Sequence, residues 1–510
     1  MAETSNTPWY HEPHLRKLNF CILSLTLFSS ANGFDGSLMN GLIALPQWKV
    51  AMDNPKGTWL GFINAVYALG CVLAYPLSSW VCNKYGRKPG VWAGCLLLFI
   101  GTAIQTAAAG DAPFVVARLL LGFASGFFLA CPLLLAESAY PTHQTTASSL
   151  YMCGWYVGAV TSAWATFATR NLDSSWAWRI PSALQIATPL LALPGFIMID
   201  ESPRWLVSKD RNEEARRVLA KIHAAGDYNS PLVVQEMNEI ETALRAEKLA
   251  QSSSSWLDLV KTPGNRRRLL ITISLGIFSQ WSGGGTVSYY LTGVLTTVGI
   301  TSVTHQTLIS ACLQVWNLIW ATLAAFTVHR LGRRPLFLAS YCITDVRFVK
   351  GGIMLVAYLI ITALSGSFAT TGNAATGTAV IPFLFIYFFG YDIALTPFLT
   401  AYPVEIWQYN LRAKGLASMF LTSYSFNFFN IFVNPIALDA IGWRYYFVFV
   451  VVLVAMIVTV WFFYVETRGM TLEGIAALFD GEDVPAGDNL DKVNDIDGTH
   501  EEEKGSLDNV

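Results

Sequence analysis

Three ionised side chains stand inside long apolar stretches of this chain: Asp35 within 18–38, Arg118 within 113–136 and Asp392 within 378–400. A charge at the centre of a membrane helix costs about 2.5–3.5 kcal/mol on insertion scales, so each of the three needs a partner. Asp35 and Arg118 are of opposite sign. An acid whose ionisation depends on whether an arginine stands beside it can take up and release a proton; the competing reading is a structural ion pair that moves none. Asp392 is either a second proton site or a group hydrogen-bonded to neighbours such as Tyr391. It lies thirteen residues before Glu405, about 20 Å along a helix.

Other chemistry finds no set of residues. No nucleotide loop, metal cluster or nucleophile–base arrangement stands out, so neither an enzyme nor a cofactor is expected. His11 and His14 read as a solvated pair near the start of the chain. The cysteines (21, 71, 82, 95, 131, 153, 312 and 342) nearly all sit in or beside apolar runs and form no CxxC pair, which argues against a disulfide framework or a zinc site.

The elements that must hold these groups follow from composition. Of 510 residues 53% are hydrophobic and 13% charged, with a mean hydropathy of +0.42, where soluble chains carry about a quarter charged residues. That excludes a disordered protein and argues against a multidomain soluble enzyme. A net charge of −2 gives no case for a nucleic-acid partner. The polar start from Met1 to Lys17, with Pro8 and Pro13, is unlike a secretory signal. A membrane helix needs about 20 mostly apolar residues, and twelve such runs occur: 18–38, 59–81, 90–109, 113–136, 148–168, 180–199, 269–291, 307–328, 351–369, 378–400, 415–433 and 445–464. Backbone polar groups in lipid must pair within their own segment, so these are helices. Of 33 Lys and Arg residues, 27 fall on the side that holds both termini, which places both ends in the cytoplasm.

The expected fold is therefore all-α and membrane-embedded. A cytoplasmic segment 1–17 precedes a six-helix half, 18–199. A cytoplasmic helical linker, 200–268, leads to a second half, 269–464, and a cytoplasmic tail, 465–510, disordered after 480. Within the linker, 212–223 and 233–250 have the apolar spacing of surface helices. The halves repeat each other. Gly86-Arg87-Lys88-Pro89 returns as Gly332-Arg333-Arg334-Pro335, Glu137 as Glu405, and Glu201 as Glu466, in one order. Such a repeat implies two homologous halves around an axis along the membrane normal, with a site near the midplane.

These residues resemble the sugar porter family of the major facilitator superfamily, fungal lactose- and hexose-type permeases in particular. The resemblance is carried by the two Gly-Arg turns, Arg118 with Gly122 and Gly126, and Glu201-Ser202-Pro203-Arg204-Trp205-Leu206. It continues through Gln280-Trp281-Ser282-Gly283 with Tyr289-Tyr290, Tyr402-Pro403-Val404-Glu405 with Arg412, and the run from Glu466 to Glu473. The resemblance implies a carrier working by alternating access. Asp35 would take the proton and Arg118 would hold it ionised until substrate arrives. Gln280, Tyr289, Asn317 and Tyr424 fall at binding positions, with Asn427 close by. Arg87, Glu137, Glu201, Arg204, Arg333, Arg334, Glu405, Arg412 and Glu466 would form a gate whose ion pairs face each other across the cytoplasmic seam.

Several positions depart from the family. Gly283-Gly284-Gly285 replaces a motif that carries asparagine, Ser279 replaces a glutamine, Met152 a polar residue of span five, and Thr400 a stacking tryptophan of span ten. The pocket thus has fewer amides and a more apolar lining than a hexose site, and the glycines favour a broken helix in span seven. Glu405 is followed by Arg412, whereas Glu137 is followed at the same distance by Gln144, and Asn83 and His329 stand where an acid is usual; a weaker latch is expected. Residues 343–352 read as an insertion ahead of span nine. The expectation is a plasma-membrane transporter of a sugar or other polyhydroxylated small molecule, coupled to protons, working as a monomer in the lipid bilayer. A facilitator or exporter of a secondary metabolite on the same scaffold is the alternative, and a non-transporting nutrient sensor is the alternative of another class.

Overall fold

The computed structural model describes residues 10–253, 255–327, 337, 353–467, 475 and 478–480. The turn holding Arg333 and Arg334, His329, the stretch 343–352 and the tail after 480 lie outside these.

Among the described residues there is no strand, and twelve helical passages follow one another. Spans one to six are Pro13–Ala44, Gly57–Tyr85, Arg87–Ala107, Asp111–Ser138, Gln144–Thr169 and Trp176–Met198. Span seven is broken into Pro263–Trp281 and Gly284–Thr297, and span eight is Val303–Thr327. Span nine is Ile353–Thr371, span ten Ala374–Thr378 with Val380–Ile406, span eleven Tyr409–Ile441 and span twelve Tyr446–Phe463. Each coincides with an expected run, and most overshoot it where apolar residues give way to polar ones that stay helical.

Among the described residues, eight helical segments are long and apolar enough to cross a membrane by length and composition alone. One of them, Lys414–Phe463, holds spans eleven and twelve, so the eight account for nine passages. The other three, spans one, five and seven, are the ones with polar residues along their length. A helix that gives up hydropathy in this way needs neighbours to shield it, and spans one and five provide that for each other by close packing.

Two cores reflect the repeat. One is built from the second half, with Leu291, Tyr358, Tyr387, Trp407 and Phe449 among its members, and takes in Leu259 of the linker and Ile475 and Phe479 of the tail. Another lies in the first half around Phe28, Leu98, Phe128 and Phe196. A third joins the halves on the face away from the termini, where Phe34, Trp48 and Phe114 meet Tyr290 and Ile431. The linker forms helices Pro203–Ser208, Asn212–His223 and Pro231–Ser253 with a small core of their own. His223 fastens it to the bundle, with Nδ1 2.7 Å from Glu236 and Nε2 3.2 Å from the Ser138 carbonyl oxygen, at the end of span four.

Candidate functional site

Asp35 and Arg118 meet. The guanidinium donates to the Asp35 carboxylate at 2.5 Å, both side chains are almost wholly buried, and the Tyr67 ring covers the arginine at 4.8 Å. Removing either partner would strand the other charge in the interior, a loss of about 3–5 kcal/mol in comparable buried pairs.

The break in span seven comes from Gly283, whose φ of +102° is a left-handed conformation and whose added Cβ would stand 2.5 Å from the Tyr358 ring. The turn sets Gln280 against span eleven. Asn427 donates to Gln280 Oε1 at 2.7 Å, and Gln280 Nε2 donates to Ser423 Oγ at 3.1 Å. Asn430 and Asn434 continue that face of span eleven, with Asn434 donating to Asn430 at 2.9 Å and accepting from Thr286 at 3.1 Å. Tyr289 lies beside Asn427, while Tyr424 packs against Tyr75 of span two with ring centroids 4.5 Å apart. In span eight the buried Gln314 Oε1 and Asn317 Oδ1 have no hydrogen-bond partner among the described residues, and in span eleven the same holds for Asn430 Nδ2. A buried polar atom without a partner costs about 1–3 kcal/mol, which a ligand bearing both donors and acceptors would recover. Gln314, Asn430 and Ser423 were not singled out from the sequence. Their signal was spacing: 314 and 317, like 423, 427 and 430, share a helix face.

Tyr156 of span five donates to Asp392 Oδ1 at 2.6 Å, a bond from one half to the other. Tyr391 turns elsewhere, donating to the Ser279 carbonyl at 3.2 Å. Met152 lies one turn from Tyr156 on the same face and is 41% exposed. The side chain of Thr400 lies outside the described set.

On the face away from the termini the halves are closed. Thr292 donates to Asn40 through its backbone N–H at 3.4 Å and its hydroxyl at 3.0 Å, Asn40 donates to Ser310 at 3.5 Å, and Arg170 donates to Thr304 at 3.2 Å.

The gate differs from expectation in its first half. Arg87 donates to both oxygens of Glu137 at 3.0 and 2.9 Å, and Glu201 accepts from the backbone N–H groups of Arg87 and Lys88 at 3.0 Å each. Arg87, Lys88 and Glu137 belong to the first half and Glu201 to the start of the linker just after span six, so the contacts bind spans three and four to the chain leaving span six and do not cross the seam. The reason is local: Glu201 caps the free N–H groups at the start of span three, where a negative charge is favoured. Gln144, in the place of a cation, donates to the Ala136 carbonyl at 2.8 Å. Ser202 caps the helix that begins at Pro203, placing Arg204 in its first turn. In the second half Glu405 accepts from Thr467 at 2.5 Å, next to Glu466, and Arg412 lies in the first turn of span eleven. Arg333 and Arg334 lie outside the described residues.

A bundle of two six-helix halves, with a buried ion pair in the first and a set of amides in the second, is a membrane carrier of the major facilitator fold. The sequence pattern described as "Sugar (and other) transporter" matches residues 21–479, and the chain belongs to that family. It is similar to the MFS-type transporter oryC of Aspergillus oryzae, 29% identical over 89% of this chain and 83% of the relative. It is likewise similar to the sugar transporter STL1 of Saccharomyces cerevisiae, 29% identical over 90% and 80%, and to the high-affinity glucose transporter of Kluyveromyces lactis, 28% identical over 89% and 83%. Among solved structures, the proton:xylose symporter XylE bound to 6-bromo-6-deoxy-D-glucose shares the fold with a TM-score of 0.70, at 22% identity over 91% of this chain and 99% of that one. The inward-open conformation of XylE from E. coli gives 0.73, at 22% identity over 91% and 100%.

Proposed function

We propose that the protein carries a sugar or other polyhydroxylated small molecule across the plasma membrane by alternating access, in symport with protons and as a monomer. The buried Asp35–Arg118 pair carries this reading, because an ion pair in lipid earns its place when one member changes charge during the cycle. Protonation of Asp35 would remove its attraction to Arg118 and free spans one and four to shift. Gln280, Asn317, Asn427, Tyr289 and Tyr424 would hold the substrate hydroxyls, joined by Gln314 and Asn430. The lysine and arginine distribution supports cytoplasmic termini. No chemical step on the substrate is proposed. The similar proteins whose names refer to glucose, sugar or xylose support the substrate class.

A second reading, a facilitator or exporter of a less polar metabolite, is favoured by Gly283–Gly285 and Met152, which put glycine and an apolar side chain where the family carries polar ones. Uptake of a radiolabelled sugar panel in yeast lacking its hexose transporters, with and without a protonophore, separates the two. Symport predicts uptake that collapses with the protonophore. Uptake that ignores it indicates a facilitator, and none at all, with the protein at the cell surface, indicates an exporter.

Gln280→Ala is expected to raise KM for the transported sugar about tenfold, since it removes a bond to substrate and frees Asn427 and Ser423 from their positions. Initial uptake rates normalised to surface protein check this. An unchanged KM removes Gln280 from the site.

A further inference from the structure

The Tyr156–Asp392 bond is a direct polar link between the halves at mid-depth. Asp392 lies fourteen residues from the end of its helix at Ile406, and Tyr156 twelve from the start of its own at Gln144. Both are therefore about 18–21 Å from the face that carries the termini. Among the described residues, further hydrogen bonds between the halves lie at Asn40 and Arg170 on the opposite face, and Tyr75 with Tyr424, Cys153 with Thr322 and Asn64 with Tyr290 also join them. A carboxylate fully buried in the second half, bonded to a phenol of the first, has no place in the Asp35–Arg118 account.

We propose that Asp392 is a second proton-binding site, in the opposite half from Asp35, and that its ionisation sets the strength of this tether. The inference rests on the symport reading. With Asp392 ionised, Tyr156 donates a charge-assisted bond, roughly twice as strong as a neutral one. When the carboxylate takes a proton on one oxygen, Tyr156 keeps its own proton and can donate only a neutral bond, so the halves part more easily. Release of that proton restores the tether once the carrier has turned over. Among the described residues, the titratable groups facing Asp392 are Tyr156 and Cys153 on span five and Tyr387 and Tyr391 on its own span. Each of these is neutral at physiological pH, so among them it is the proton on Asp392 that changes the charge at the bond to Tyr156. The exposed Met152 brings an accessible face of span five within one turn of the pair.

The test is proton stoichiometry. In proteoliposomes holding the full-length carrier, the sugar accumulation ratio is measured against an imposed potassium diffusion potential at equal pH on both sides. Two coupled carboxyls predict two charges moved per sugar for the wild type and one for Asp392→Asn. Asp392→Glu, which keeps an acid, should restore two. One charge per sugar in both the wild type and Asp392→Asn overturns the second site and leaves the symport reading standing. No potential dependence in the wild type overturns both. If Asp392→Asn does not fold, infrared spectra across pH of the wild type minus those of Tyr156→Phe carry the question: a displaced carboxyl band that grows as Asp392 is protonated is expected. No carboxyl difference band between the two proteins overturns the proposal.

Discussion

Asp35→Asn is expected to abolish accumulation of substrate against a gradient, bringing the inside-to-outside ratio from well above one to one, while exchange down a gradient stays measurable. Asparagine is close in size to aspartate and keeps a hydrogen-bond acceptor for Arg118, so the packing geometry of spans one and four is kept, although the arginine's charge is left unpaired and folded protein is less stable. What it lacks is a charge that can be cancelled. The arginine then meets the same neutral partner in every state, and no step of the cycle depends on a proton. Counterflow in vesicles preloaded with unlabelled sugar measures the retained exchange, and steady-state uptake the lost accumulation. Accumulation at wild-type level would reduce Asp35 to a structural role. Arg118→Leu is predicted to behave differently, because it leaves a buried carboxylate without its cation; loss of folded protein is the expected result there.

Gly158→Val is expected to lower the amount of folded carrier at the membrane at least tenfold. A Cβ at position 158 would stand 1.8 Å from the Ser30 carbonyl oxygen and 2.6 Å from the Phe34 backbone nitrogen. One at Gly33 would stand 1.8 Å from the Trp155 carbonyl oxygen, and one at Gly154 2.6 Å from that of Thr26. These neighbours are backbone atoms of a packed helix and cannot swing aside. Gly154 and Gly158 are four residues apart, the small-residue spacing that lets membrane helices approach closely. Overpacking of a core costs about 1–3 kcal/mol when side chains can yield, and here they cannot. The same crossing carries Asp35 on one helix and Tyr156 on the other, so its loss would disturb both candidate proton sites. Detergent-solubilised yield and thermal stability by fluorescence-detected size exclusion test this. A wild-type profile would mean that spans one and five do not touch as described.

Hydropathy made the twelve passages legible, because a span of lipid leaves the backbone no other economical solution. The break in span seven was legible too, through its glycines, and the Asp35–Arg118 pair through the family resemblance, because the cost of a lone charge does not choose between Asp35 and Asp392 as the arginine's partner. The gate was less so. Which glutamate meets which arginine depends on how six helices of one half are arranged, and the Arg87 side chain found Glu137 inside its own half while its backbone N–H found Glu201 at the start of the linker. Asp480 shows the same limit. Standing in the tail where disorder was expected to begin, it is held by two bonds from the buried Arg268, at 2.8 and 2.7 Å. Tyr156 was hidden for another reason. A tyrosine in an apolar run reads as packing, and only the fold brings span five up to span ten.

Symport requires that substrate and proton move together. Purified carrier in proteoliposomes loaded with a pH-sensitive dye, at equal pH and with potassium and valinomycin to hold the potential at zero, answers this directly. Addition of the transported sugar outside should acidify the interior, at a rate that falls to background in Asp35→Asn. Sugar entering at full rate with no change of internal pH would contradict symport and leave the buried ion pair a structural one.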